Sequence, residues 1–109
     1  MAITYKVLGQ VKPAANTLTT LYTVPAATST VVSTINVCNQ SVATDVFRIA
    51  IRPANATLDP KHYISFNTAV PALDSISLTV GITLATTDVI TVFSNSAASS
   101  FNVFGSEFS

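Results

Sequence analysis

The chain has 109 residues, of which 49% are hydrophobic and only 9% charged, and its five basic and five acidic residues cancel to +0. That length fits one domain, residues 1–109, with a core large enough to need no disulfide or metal staple. Lys6, Lys12, Arg48, Arg52 and Lys61 are too scattered to displace counterions from a nucleic acid, and no apolar run reaches the ~20 residues of a membrane span.

Mean hydropathy is +0.52, and Thr, Ser and Asn make up roughly a third of the chain in place of the usual charge. Strong helix formers are rare and β-branched residues abundant, so the expectation is all-β. In chain order, residues 3–11 alternate Ile3, Tyr5 and Val7 with Thr4, Lys6 and Leu8. Pro13 breaks that pattern, and residues 18–24 form a second strand ended by Pro25. Residues 30–39 form a third, with Val31, Ser33, Ile35 and Val37 opposite Val32, Thr34, Asn36 and Cys38. Residues 45–52 are amphipathic, Phe47, Ile49 and Ile51 facing inward and Arg48, Ala50 and Arg52 outward. After a proline-bearing loop over 53–60 come strands at 63–66 and 75–80, a bend over 81–87, a strand at 88–93 and a last strand at 101–108. About eight antiparallel strands punctuated by turns predict a single β-sandwich of jelly-roll or Greek-key type.

Residues 1–10 show no apolar segment of a secretory signal. Cys38 has no second cysteine to pair with, so the expectation is synthesis in a reducing cytoplasm with Cys38 an inert thiol buried in its strand. The sequons beginning at Asn39 and Asn55 are expected to be chance matches.

The residues offer little chemistry. The single histidine, His62, sits beside a loop and is expected to be partly exposed; no Gly-x-Ser-x-Gly elbow gives a serine nucleophile a base. Asp45, Asp74 and Asp88 precede strands, where a short carboxylate accepts from local backbone N–H groups. No loop gathers the acids of a Ca²⁺ site, and Gly9, Gly81 and Gly105 are isolated. The expectation is a non-enzyme with no cofactor and no metal.

Surface is what remains. Arg48 and Arg52 share a strand face about 13 Å apart and could hold carboxylates of a partner, the alternative being a solvated strand face. In the last strand Phe101 and Val103 point one way and Phe104 and Phe108 the other, so both faces need cover, from a loop or a neighbouring subunit. Tyr5 poses the same question in the first strand. Tyr22 and Tyr63 are the candidate rings for a sugar.

Several segments resemble small virion structural proteins of tailed phages, particularly those of cyanobacteria. They are Tyr5-Lys6-Val7-Leu8-Gly9-Gln10, Leu21-Tyr22-Thr23-Val24-Pro25-Ala26, residues 31–39, Phe47-Arg48-Ile49-Ala50, Lys61-His62-Tyr63-Ile64 and Phe104-Gly105-Ser106-Glu107. These are strand cores and turns spread over most of the chain, not catalytic motifs. The resemblance implies a capsid decoration (cement) protein on the capsid exterior. Its partners would be the major capsid protein and further copies of itself, a trimer first and a dimer next. The alternative is a tail, baseplate or fibre component acting as an adaptor or carbohydrate-binding host module.

Overall fold

The structure, a computed structural model, describes residues 2–79 and 81–109. Nine strands form: β1 (Ile3–Val11), β2 (Thr19–Thr23), β3 (Ser29–Asn39), β4 (Asp45–Arg52), β5 (Tyr63–Val70), β6 (Ser75–Leu78), β7 (Ile82–Leu84), β8 (Val89–Ser94) and β9 (Ser99–Phe108). They make two antiparallel sheets. Sheet A has the order β1-β9-β3-β6, with β7 also on β3, and sheet B the order β2-β8-β4-β5.

Strands β6 and β7 lie along the same edge of β3, at Ile35–Cys38 and at Thr30–Val32 respectively. Taken together they are one interrupted strand, and the pairing becomes first with last, second with next-to-last, third with the interrupted strand, fourth with fifth. That nesting is the jelly roll. Its core lies between the sheets: Ile35, Val37, Phe101 and Val103 from sheet A meet Phe47, Ile49, Ile90 and Val92 from sheet B. The rings of Phe47 and Phe101 pack edge to face at 6.0 Å, the arrangement favoured by aromatic quadrupoles.

The strands expected at residues 3–11 and 45–52 have those bounds, and Phe47 and Ile49 face inward as the alternation requires. Elsewhere the pattern needs correction. The strand expected to end at 66 continues to Val70, and the bend over 81–87 contains β7. Val80, expected to close a strand, lies outside the described residues. The loop at 53–60 holds a 3-10 turn, Pro53–Asn55, and leads into another, Pro60–His62.

Strict alternation fails at β-bulges, where the register shifts between Val7 and Gly9, Thr20 and Tyr22, and Val32 and Thr34. An extra residue reverses the parity of everything beyond it. Val32 therefore joins Ile35 and Val37 in the core while Val31 faces solvent, against the faces expected for this strand. Cys38 lies on the face opposite Ile35 and Val37, as the alternation expects, but is half-buried rather than enclosed.

Two glycines allow backbones to touch. A Cβ on Gly9 would lie 2.2 Å from the Leu21 carbonyl oxygen, where β1 of one sheet meets β2 of the other. A Cβ on Gly105 would lie 2.2 Å from the Val31 oxygen of the adjacent strand. Neither position has room for a side chain.

Candidate functional site: two outer faces

The outer face of sheet A divides into two zones. A transverse row of directly paired residues, Gln10–Asn102–Asn36–Ser77, is polar. It is joined by Gln10 Nε2 donating to Asn102 Oδ1 at 2.7 Å and Asn36 Nδ2 to Ser77 Oγ at 3.0 Å. The rows beyond the β1 and β3 bulges are apolar. Val7 lies opposite Phe104, Tyr5 and Val31 flank Ser106, and Ile3 lies opposite Phe108. Tyr5 is 81% exposed, Ile3 49%, Val7 48%, Val31 38% and Phe104 36%. Three residues singled out in the sequence, Tyr5, Phe104 and Phe108, therefore converge on one patch. Ile3 and Val7 belong to it too, and their alternation with Tyr5 carried that signal. Val31 could not be placed there because the bulge reverses its face.

The outer face of sheet B is built differently. Arg48 and Phe93 are direct cross-strand partners, and the Arg48 guanidinium lies 4.3 Å from the Phe66 ring centre and 4.4 Å from that of Phe93. Its Nε donates to Asn67 Oδ1 at 2.7 Å, and Tyr63 packs edge to face on Phe66. Arg52 donates from Nε to the Ala56 oxygen at 2.8 Å and from its two terminal nitrogens to Thr91 Oγ1 and Asn55 Oδ1. The two arginines share this face, as expected, but each is bound locally by neutral groups or rings. Among the described residues the one ion pair is Lys6–Glu107. Thr20, Thr23, Arg52, Asn55 and Thr87 line a shallow open groove of about 540 Å³ here.

The remaining polar residues hold the fold. Asp45 is buried, and its Oδ2 accepts from Ser94 Oγ and Ser99 Oγ, both at 2.6 Å. Its Oδ1 accepts from the Val46 and Ser96 amides. Burial alone would raise its pKa, yet these four hydrogen bonds outweigh burial and hold the carboxyl below its ordinary value. Asp74 accepts from the Ser75 amide, Asp59 from Lys61, and Asp88 from Ala54 and Ala85, the turn-binding role expected of short carboxylates. Asn39, also buried, donates to the oxygens of Ala43, Val70 and Pro71. With its amide spent on that loop, its sequon is not presented to solvent.

Two expectations are overturned. His62 is buried rather than partly exposed, with Nδ1 accepting from the Asp59 amide at 3.0 Å as part of a capping box. Tyr22 is not a surface ring. The β2 bulge turns it inward to 7% exposure, where its hydroxyl donates to Glu107 Oε2 and accepts from Thr30 Oγ1 at 2.8 Å. Burial and the Glu107 bond push its pKa up to about 12. Glu107 is held below its usual range by the bonds from Tyr22 and from Lys6, whose Nζ lies 2.9 Å away. This chain of contacts ties β2 of one sheet to β9 and β1 of the other.

Among the described residues no group of three or more His, Cys, Asp or Glu could hold a metal ion. No protein-family profile matches the chain, and a search of curated proteins finds none similar to it.

Proposed function

We propose that this protein is a non-enzymatic structural component of a phage virion, a capsid decoration protein that docks through the apolar zone of sheet A. The observation that carries this reading is the contiguous patch of Ile3, Tyr5, Val7, Val31, Phe104 and Phe108 beside a polar row on the same sheet. A soluble chain does not leave so many large apolar side chains together without a surface to cover them. The jelly roll is consistent with the role, since capsid proteins and lectins both use it. Low charge also suits it, because hydroxyls and amides are cheaper to desolvate than ions at a crowded surface. Repetition over a lattice would turn modest contacts into firm attachment.

The major capsid protein is the partner this reading names, together with further copies of the chain arranged around a capsid symmetry axis. The test is cryo-electron microscopy of the intact particle. Density repeated over the icosahedral lattice, with the Tyr5–Phe104 face against the shell, is the expected result; capsids made without the protein should assemble but lose heat or osmotic stability. Density confined to the tail would overturn the decoration role.

A second reading, a tail adaptor or host-binding module, is favoured by the sheet B groove, which gathers hydroxyls around Arg52, and by the exposed ring of Phe66 elsewhere on that sheet. Binding to a glycan array that Arg52→Ala abolishes would support it over the first.

A further inference from the structure

The patch on sheet A ends at a strand edge. β1 pairs with β9 on one side and with no strand on the other among the described residues. Which of its backbone groups face the open side follows from the ladder. Ala2 and Ser109 exchange both hydrogen bonds, at 2.7 and 2.9 Å. The register then runs unbroken from Ile3↔Phe108 to Val7↔Phe104. In an antiparallel ladder hydrogen-bonded and non-hydrogen-bonded pairs alternate. Thr4 and Lys6 thus spend their N–H and C=O groups on β9, and Ile3, Tyr5 and Val7 turn theirs to the open edge. The same three residues carry the exposed apolar side chains.

Such an edge is normally blunted by charge, proline, a bulge or short length. The other edges of the sandwich are. β2 is five residues long and bulged, β6 and β7 have four and three residues, and β5 carries two register shifts and a positive φ at Asn67. In β1 the bulge comes only after Val7, and the one lysine before it, Lys6, is folded onto Glu107. Residues 3–7 are left as a regular, unguarded strand.

We propose that a second copy of this chain covers this edge by antiparallel β1–β1 pairing about a two-fold axis at Tyr5. Self-pairing fixes the register. Centring on Lys6 would set two ammonium groups opposite each other, whereas centring on Tyr5 sets Lys6 opposite the neutral Thr4 of the other copy. Tyr5 then faces Tyr5 and Ile3 faces Val7. Each of these is a hydrogen-bonded pair, giving six new backbone hydrogen bonds across the axis. A net charge of +0 puts little repulsion between the copies. Sheet A becomes one continuous sheet through both subunits, and the two apolar zones join into a single doubled face. The pairing deepens the docking role proposed above and rests on it for its biological meaning, but not for its geometry.

The test separates the two. In a Cys38→Ser background, Tyr5→Cys is expected to give a disulfide dimer under mild oxidation, because paired Cα atoms about 5.5 Å apart fall within disulfide reach. Ile3→Cys and Val7→Cys place their own copies about 13 Å apart and should cross-link at least tenfold less. Tyr5→Pro removes an N–H that no internal partner uses, so it should leave the far-ultraviolet circular dichroism spectrum unchanged and convert a dimer to a monomer in sedimentation, with the unfolding midpoint losing its dependence on protein concentration. A wild-type monomer at all concentrations up to several hundred micromolar would overturn the pairing, as would a dimer indifferent to Tyr5→Pro or equal cross-linking at all three positions. Thr4→Lys sets two ammonium groups opposite each other across the axis and keeps Ile3, Tyr5 and Val7. Attachment of that monomeric chain to particles would leave the docking role standing without the dimer, whereas a wild-type dimer that ignores particles would do the reverse.

Discussion

Sheet B holds Phe66 and Phe93 beneath the guanidinium of Arg48, whereas sheet A leaves Tyr5, Phe104 and Phe108 with no cation over them among the described residues. Both faces carry aromatic side chains on the solvent side of a two-layer sandwich. One sets a guanidinium over its rings, although Phe66 stays 55% exposed, and the other has no cation over its rings among the described residues and adds Ile3, Val7 and Val31. The difference shows that exposed aromatic residues in one small domain can have opposite meanings. A ring beneath a guanidinium has a hydrated group over one face, whereas a ring beside three bare aliphatic side chains extends an apolar patch.

The comparison can be broken at its foundation. Gly105→Val should prevent folding, since its Cβ would fall 2.2 Å from the Val31 oxygen and no rotamer relieves a backbone clash. The loss should exceed the ~1–3 kcal/mol of ordinary overpacking, and circular dichroism with urea titration reads it. Next in size is Asp45→Ala, which strips a buried site of four hydrogen bonds to a charged acceptor and should cost about 3 kcal/mol or more.

Asp45 also sets a pH dependence. Its folded pKa is lowered, so the unfolded chain binds the proton more readily. The stabilisation is complete above the ordinary aspartate value of about 3.9 and disappears as pH falls through the lowered folded value. Asp45→Asn should flatten the acid limb of a stability–pH curve without abolishing it, because Glu107 is lowered as well. At the alkaline end Tyr22, raised to about 12, contributes stability that is present below pH 10 and lost as pH rises towards 12. Tyr22→Phe should remove that limb.

Smaller effects sharpen the contrast between the faces. Arg48→Ser should cost roughly 1–2 kcal/mol by uncovering two rings, and should increase binding of a hydrophobic dye relative to the parent protein. Tyr5→Ser should change stability by less than about 0.5 kcal/mol, as exposed positions usually do. Retention on particles should nevertheless fall at least tenfold, a separation that co-sedimentation and urea unfolding measured on one sample would show.

Much of the sandwich was legible because its strands alternate and its turns carry proline, glycine and aspartate. β4 could be placed residue by residue, since Phe47, Ile49 and the two arginines follow period two without interruption. Tyr5, Phe104 and Phe108 were legible as side chains on the wrong side of an otherwise satisfied strand. The bulges were not, because an extra residue in a strand leaves no compositional mark. That one omission misplaced Val31 and Tyr22 together. The covering of Phe66 and Phe93 by Arg48 was hidden for another reason. It joins three strands far apart in the chain, and nothing in any one of them announces the other two. His62 looked exposed because its neighbours are polar, while its burial comes from the capping box that its own imidazole completes.

The apolar zone of sheet A is woven from the two ends of the chain, with β9 slotted between β1 and β3. Ile3, Tyr5 and Val7 are synthesised well before Phe104 and Phe108. Until β9 enters, β1 has no sheet to belong to and the patch does not exist as a surface. Non-local closure of this kind is slow compared with forming a hairpin, so completing the face is coupled to completing the fold. Under the docking role proposed above, a chain in which β9 has not yet paired would lack the face that docks.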